Sequence, residues 1–329
     1  MVSDSAPSLR IVFFGTPDFA VPTLERLFAS RHRVVGIVTQ PDRPSGRGQR
    51  PHQSPVKRVA LGRDIPVLQP ERLKDGVFLP ALTAWGADLG VVAAYGKILN
   101  ESVLETPRLG FINVHASLLP KFRGAAPIQR AVMAGENITG VTIIRLVRAM
   151  DAGPMLAHAS RPIDPDETSD RIERDLAVLG AGLLAGVVEN LAAGHVVEVP
   201  QDEAEATYAP RLDKSEGLID WQQPARRVHD QIRGLHPWPH AHTFLEGARY
   251  IVLRSRPEEV PTRSGRSGPP QPGEVLEASG DVLRVATGDG AIRIVEIQPE
   301  GRRPLATREF LAGHPLNIGS IFSSPLSGA

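Results

Sequence analysis

Five short runs of almost unbroken apolar residues constrain this chain more than any other feature: 9–14, 34–39, 89–94, 111–115 and 141–147. A strand that is apolar on both faces has to be covered on both, as in parallel sheets flanked by helices. The intervening stretches supply those helices. Gly15 makes a turn, Thr16 is placed to cap, Pro17 suits a first helical position, and Ala20, Leu24, Leu27 and Phe28 follow at helical spacing. Ser54-Pro55 opens a second helix, followed by a short strand near Val67. Thr168 or Ser169 caps a long helix containing Ile172, Leu176, Leu179, Leu183 and Val187. The alternation predicts an α/β fold with a doubly wound, mainly parallel, Rossmann-like sheet.

Beyond about residue 201 the pattern changes. Residues 202–214 are polar with little periodicity. A helix is expected over 225–235, then strands over 243–245, 249–253, 273–276, 282–287 and 291–298, with Glu246-Gly247 and Asp289-Gly290 as hairpin turns. Such short strands with a terminal helical stretch suit a small OB-like β-barrel. Residues 257–272, rich in Pro, Gly, Ser and Arg, read as a mobile loop. With 329 residues the chain has enough length for two cores. The expected domains are 1–200 and 214–329, joined by a linker at 201–213.

There is no cysteine, which excludes disulfides, thiolate metal sites and a thiol nucleophile. No histidine spacing suggests a metal site, and no metal is expected. Lysines plus arginines equal aspartates plus glutamates at 37 each, so a polyanionic partner has to be met by a local patch. No unbroken run of about 18 apolar residues and no N-terminal signal pattern is present. A cytoplasmic monomer without a membrane partner is expected.

Chemistry concentrates at Asn113-Val-His115. Residues two apart on a strand point to one side, so an amide and an imidazole sit together where open α/β sheets place their ligands. That pair suits a reaction that builds an oxyanion while moving a proton, such as acyl transfer to an amine. Ser117-Leu-Leu-Pro120 is a rigid turn, and Arg123-Gly-Ala-Ala-Pro127 brings a charge and a helix start to the same rim. The strand at 141–147 is expected to deliver Asp151 to the same edge as a third member. Taken singly, each of these residues has a plainer use, Asn113 and His115 in satisfying a strand end and Asp151 in a turn before Gly153.

These motifs resemble those of the folate-dependent formyltransferases. Asn113-x-His115 followed by Ser117-Leu-Leu-Pro120 carries the likeness. Gly15-Thr-Pro-Asp-Phe19, Thr39-Gln-Pro-Asp-Arg-Pro44, Gly46-Arg-Gly48, Ser54-Pro-Val-Lys57, Val92-Ala-Ala-Tyr-Gly96 and Pro237-Trp-Pro239 extend it toward the methionyl-tRNA formyltransferases. The resemblance implies 10-formyltetrahydrofolate as donor and methionine on initiator methionyl-tRNA as acceptor. It makes Asn113, His115 and Asp151 catalytic, Ser117, Leu118, Leu119 and Pro120 the folate-contacting turn, and Val92, Ala93 and Tyr95 part of the wall around the pterin. Ala116 and Pro154 depart from the family pattern; Pro154 removes a backbone donor near the folate site.

The same resemblance makes residues 41–55 a tRNA-binding loop, with Arg43, Arg47 and Arg50 near the acceptor stem. The loop is too long for an ordinary strand–helix connection and reads as a segment that orders when a partner arrives. A solvated surface is the plainer reading of its cations, which with Lys57 and Arg58 number five in 16 residues. The second domain is not broadly basic, with 15 cations and 14 carboxylates from Arg211 onward. By spacing, Arg226, Arg227 and Arg233 could share a helical face suited to phosphates, surface solvation being the plainer reading of each, while Trp221 and Trp238 are expected in a core or in inter-domain packing. Three rival readings fare worse. A dinucleotide-dependent dehydrogenase lacks its glycine-rich turn. A formyltransferase for sugar-nucleotide amines needs neither the cationic loop nor the second domain. A non-catalytic tRNA-binding module needs none of Asn113, His115 and Asp151. Arg47→Ala is expected to lower kcat/KM for aminoacyl-tRNA by about tenfold or more, with folate binding unchanged; phosphate contacts at this level dominate nucleic-acid affinity. Steady-state kinetics at varied tRNA concentration, with a folate-binding titration, check both halves.

Overall fold

A computed structural model describes residues 7–45, 50–74, 76–260 and 268–323. The chain divides into two compact units. The first comprises Met1–Pro127, Ile138–Arg161 and Glu173–Pro210; the second comprises Ile128–Asn137, Pro162–Ile172 and Arg211–Ala329.

The first unit is built on strands β1 (Arg10–Gly15), β2 (Arg33–Val38), β3 (Val67–Leu68), β4 (Leu89–Ala93), β5 (Phe111–His115), β6 (Ile138–Arg145) and β7 (Met155–Pro162). Their order is β7-β6-β5-β4-β1-β2-β3. The pairings β1–β2, β1–β4, β2–β3 and β4–β5 are parallel, and β5–β6 is antiparallel. The chain therefore winds outward from β1 to β3, returns to β4 and winds the other way, which opens a crevice at the carboxyl ends of β1 and β4. Across it the Thr16 hydroxyl, expected as a helix cap, donates to the Tyr95 carbonyl at 3.1 Å, as does Gln40 Nε2 at 3.1 Å. The helix begins later than expected, at Val21, after a 3₁₀ turn over Asp18–Ala20.

The apolar runs are buried as their composition requires. Val12, Phe14, Val92, Tyr95 and Phe111 share one core cluster, with Phe14 edge-on to both Tyr95 and Phe111 at 5.2 Å. Gly90 makes room for Phe111, since a Cβ there would lie 2.1 Å from the ring. On β5, Gly180 of the helix Ser169–Ala193 packs against Val114, where a Cβ would lie 2.7 Å from Cγ1. That helix is long and apolar enough to cross a membrane by length and composition, with mean hydropathy 1.8, although half of the apolar window is buried within the protein. An unbroken-run criterion passes over it because Glu189 and Asn190 interrupt the window.

In the second unit, strands β8 (Ala241–Leu245), β9 (Ala248–Glu258), β10 (Val275–Ser279), β11 (Val282–Ala286) and β12 (Ala291–Pro299) form an antiparallel sheet in the order β8-β9-β12-β11-β10. Residues 320–323 close it. Val275 N–H donates to Ser320 O at 2.8 Å and Phe322 N–H to Gly273 O at 2.8 Å, while Phe244 and Ser323 exchange bonds of 3.0 and 2.8 Å. The two edge strands are thereby joined into the expected barrel. Glu246 and Gly247 both take positive φ, 51° and 80°, in the β8–β9 hairpin. The loop expected over 257–272 begins two residues later than read, after β9; its residues 261–267 lie outside the described ones.

Two expectations fail here. Trp221 is buried, its Nε1 donating to Thr243 Oγ1 at 2.9 Å, but Trp238 stands 47% exposed between two prolines. On the helix Ala225–Gly234, Arg233 is buried and paired with Asp230 at 2.7 Å, and Arg227 donates to the carbonyls of Met133 and Ala134. Arg233 is thereby withdrawn from solvent, whereas Arg227 stays exposed with part of its guanidinium on main-chain carbonyls.

His229 on the same helix is buried, with Nδ1 bonded to Ser255 Oγ at 3.0 Å and Nε2 to Pro165 O at 2.8 Å. Burial pushes its pKa below the ordinary 6.5. The unfolded chain then binds the extra proton more readily, so this group's contribution is present above pH 6.5 and lost as pH falls below it. His229→Gln should therefore be less stable than wild type at pH 7.5, and the gap should narrow toward pH 5.5. Denaturant titrations at both pH values test this; a gap that widens on acidification would refute it.

Candidate active site

Asn113 and His115 alternate with the buried Ile112 and Val114 on β5, so their side chains share one face. His115 is 5% exposed. Its Nε2 lies 3.0 Å from the Phe122 carbonyl, which only accepts, so Nε2 carries a hydrogen. Its Nδ1 faces Asp151 Oδ2 at 3.6 Å, beyond hydrogen-bond length. The same Oδ2 accepts the Gly124 backbone N–H at 2.9 Å. Both imidazole nitrogens are thus turned toward protein groups. Among the described residues none hydrogen-bonds the half-buried Asn113 amide, which leaves it as the free donor of the group.

Asp151 arrives by an unexpected route. Because β6 runs antiparallel to β5, its carboxyl end leaves the sheet beside the start of β5, where Leu146 N–H donates to Phe111 O at 2.8 Å. His115 is four residues along that strand, roughly 13 Å away at strand rise. The loop after β6 doubles back over the sheet to close that distance. Its tight return depends on Gly153, where a Cβ would fall 1.8 Å from Arg145 O, and on Asp151 itself, which has φ 50°. Pro154 keeps its carbonyl in use, accepting Arg145 N–H at 2.9 Å, and a side chain, Gln201, bonds the carbonyls of Asp151 and Gly153.

Gln201 gave no signal in the sequence; it stood in the presumed linker. Its Nε2 donates to the carbonyls of Asp151 and Gly153, both at 2.7 Å. Its Oε1 accepts from Arg123 Nε and Nη2 at 3.0 and 2.9 Å. Arg123 was expected to bring a charge to the rim. Instead it is 1% exposed and bidentate to Glu203, at 2.8 and 2.9 Å. The bond to Glu203 raises the Arg123 pKa and lowers that of Glu203. Residues 123–124 also pair in parallel with Tyr208–Ala209.

The turn after β5 is anchored from β6. Thr142 Oγ1 donates to Ser117 O at 2.7 Å and accepts Leu119 N–H at 3.1 Å. Ser117 Oγ faces inward and donates to Lys121 O at 2.6 Å; Leu119 is buried, Leu118 and Pro120 are half-buried, and the Leu119–Pro120 peptide is cis. Val92, Ala93 and Tyr95, read as a pocket wall, have their side chains in the core, and only Ala94 of that stretch is exposed. Any wall there is made by main chain.

The cationic loop has ordered arms. Strand Arg43–Ser45 pairs antiparallel with Arg50–His52, Arg43 opposite His52 and Ser45 opposite Arg50. Arg43 is exposed, and Arg47 lies outside the described residues. Lys57 is not a free cation: its Nζ pairs with Asp42 at 2.6 Å, and Asp42 Oδ1 accepts Gln69 Nε2 at 2.8 Å. Among the described residues no group of three or more His, Asp or Glu is placed to hold a metal ion.

Two family models match the chain, formyl transferase over residues 9–188 and formyl transferase, C-terminal domain, over 211–315. A methionyl-tRNA formyltransferase from Pelobacter propionicus is 44% identical over 95% of this chain and 96% of its own. One from Moorella thermoacetica is 44% identical over 95% of this chain and 99% of its own. The chain belongs to the methionyl-tRNA formyltransferase family. Solved structures share the fold at low identity. The sugar 3N-formyltransferase WlaRD has a TM-score of 0.64 at 16% identity, covering 90% of this chain and 100% of its own. HypX from Aquifex aeolicus, solved with tetrahydrofolic acid, has 0.60 at 18%, covering 96% of this chain and 51% of its own.

Gly153→Ala is expected to displace the Asp151 loop without unfolding the sheet. The rate should fall about tenfold or more, as a misplacement near 1 Å commonly does, with the circular dichroism spectrum unchanged. Wild-type turnover in a folded variant would show that Gly153 does not set the loop.

Proposed function

We propose that this protein transfers a formyl group from 10-formyltetrahydrofolate to the α-amino group of methionine on initiator methionyl-tRNA, in the cytoplasm and as a monomer, for translation initiation. The observation that carries the reading is the meeting of Asn113, His115 and Asp151 at one strand end, in a chain 44% identical along nearly its whole length to methionyl-tRNA formyltransferases.

The residues present suit a formylated folate. The free Asn113 amide offers a donor to a carbonyl-type oxygen, and the Ser117–Pro120 turn with the main chain of 93–96 offers backbone groups to a flat heterocycle. When bound, the folate supplies an activated formyl carbon on a nitrogen leaving group. Asn113 then donates to the formyl oxygen as it gains negative charge, an interaction typically worth about 10²–10³ in rate. His115, with Asp151, takes the proton that the attacking amine sheds as its bond to the formyl carbon forms, and gives it to the folate nitrogen as the bond from that nitrogen to the formyl carbon breaks. A proton taken up at His115 Nδ1 lies against Asp151 Oδ2, where the carboxylate stabilises the imidazolium and the Phe122 carbonyl holds the ring in place through Nε2. With Nε2 held by the Phe122 carbonyl, His115 is read as the proton carrier and Asn113 as the donor to the formyl oxygen.

In this reading the domain over 1–200 is catalytic and 214–329 contacts tRNA. Residues 41–55 meet the acceptor stem through Arg43, Arg47 and Arg50, of which Arg43 and Arg50 belong to the two-stranded ribbon. In the second unit Arg254 and Arg256, with side chains 68% and 61% exposed on β9, are better phosphate ligands than the buried Arg233.

The test is formylation of charged initiator and elongator methionine tRNA by the purified protein. His115→Ala should leave less than a few per cent of the wild-type rate. Asn113→Ala should lower kcat by roughly 10²-fold while changing KM little, since its bond strengthens only in the transition state. A raised KM with unchanged kcat would make Asn113 a binding residue.

A further inference from the structure

The Asp151 carboxylate is placed by a device that the reaction itself does not call on. Its loop has to cross back over the sheet, and the crossing leaves two main-chain carbonyls, Asp151 O and Gly153 O, without sheet partners. One side-chain amide, that of Gln201, bonds both at 2.7 Å. Gln201 is oriented in turn by Arg123, which is held by Glu203. Arg123 reaches the site a second way, because the next residue, Gly124, donates its N–H to Asp151 Oδ2, the oxygen that faces His115. Position 123 therefore connects to both ends of the aspartate: to its main chain through the guanidinium and Gln201, and to its carboxylate through the adjoining Gly124 N–H.

We infer that Gln201, fixed by Arg123 and Glu203, is a positioning residue for Asp151. The inference rests on Asp151 belonging to the formyl-transfer site. Asp151 has φ 50°, a left-handed conformation that costs a non-glycine residue free energy and persists only where surrounding bonds hold it. Gln201 supplies two of those bonds, and its planar amide admits one arrangement. Oε1 must accept from the guanidinium, so Nε2 must point at the carbonyls. A carboxylate at 201 would meet Arg123 well but repel Asp151 O and Gly153 O. Gly124, with φ 123° and a Cβ position 2.7 Å from Ala209 O, holds the donor N–H from the other side.

The experiment compares wild type, Gln201→Met, Asp151→Asn and the double variant. Gln201→Met should keep KM for tRNA and for folate within about twofold and lower kcat by about 10- to 100-fold. In the Asp151→Asn background the same change should cost less than about threefold, because a residue acting only through Asp151 has nothing left to position. A general structural defect would multiply with Asp151→Asn instead. Amide exchange gives a readout independent of turnover. In Gln201→Met the Gly124 amide should exchange about tenfold faster or more, whereas Ala125, bonded to Ala209 O at 2.9 Å, keeps its protection. Full multiplicativity, or Gly124 exchange equal to wild type, would overturn the inference. If Gln201→Met does not fold, Glu203→Ala, at a side chain 69% exposed, carries the same comparisons with smaller expected effects. Should the wild-type protein fail to formylate methionyl-tRNA, the functional reading falls, and the Gly124 and Ala125 exchange rates alone decide the positioning role.

Discussion

Burial of β5 on both faces is the constraint on which the rest of the first unit depends. Phe111 fills the space left by Gly90 on one neighbour, Val114 meets Gly180 on the covering helix, and Ile112 is inaccessible to solvent. A strand so confined cannot rotate or slip by one residue without driving apolar groups into water. Asn113 and His115 inherit that rigidity. The same close packing explains why polar chemistry begins abruptly at the strand's end, where the covering layers stop and loop carbonyls take over as partners.

Around this rigid strand the site is completed by side chains that satisfy main-chain groups. Thr142 ties down the turn after β5, Gln201 bonds the loop after β6, and Thr16 with Gln40 bonds the loop after β4. Buried carbonyl and N–H groups in irregular segments need such partners, since each one left unmade costs about 1–3 kcal/mol. The charged pair of Arg123 and Glu203 belongs to the same system. Arg123 is nearly inaccessible, and its donors are taken by Glu203 and Gln201, so the cost of removing the guanidinium from water is offset by bidentate geometry.

What the sequence disclosed follows from which forces act locally. Continuous apolar runs located five sheet strands, because double-sided burial leaves no other use for them. Period-two spacing located Asn113 and His115, and Glu246-Gly247 located a hairpin, because only such residues take its backbone angles. Strand β7 was missed since its residues are half-exposed and lack an apolar run. The helix Phe78–Ala84 was missed because Pro80 reads as a breaker, although a proline within the first turn breaks no bond. The direction of β6, the burial of Arg123 and the role of Gln201 depend on partners 27 to 80 residues away in the chain. No local pattern encodes such pairings.

The manner in which the barrel of the second unit closes has a consequence for the order of events in biosynthesis. Among the described residues its edges, β8 and β10, are joined through residues 320–323, so the last hydrogen bonds of the sheet wait until that segment, well past the last strand, has left the ribosome. The parallel sheet and the Gln201 and Glu203 side chains are available more than a hundred residues earlier. Folding during translation is therefore sequential. The half that carries the parallel sheet begins to fold while the barrel is still an open ribbon with two unpaired edges.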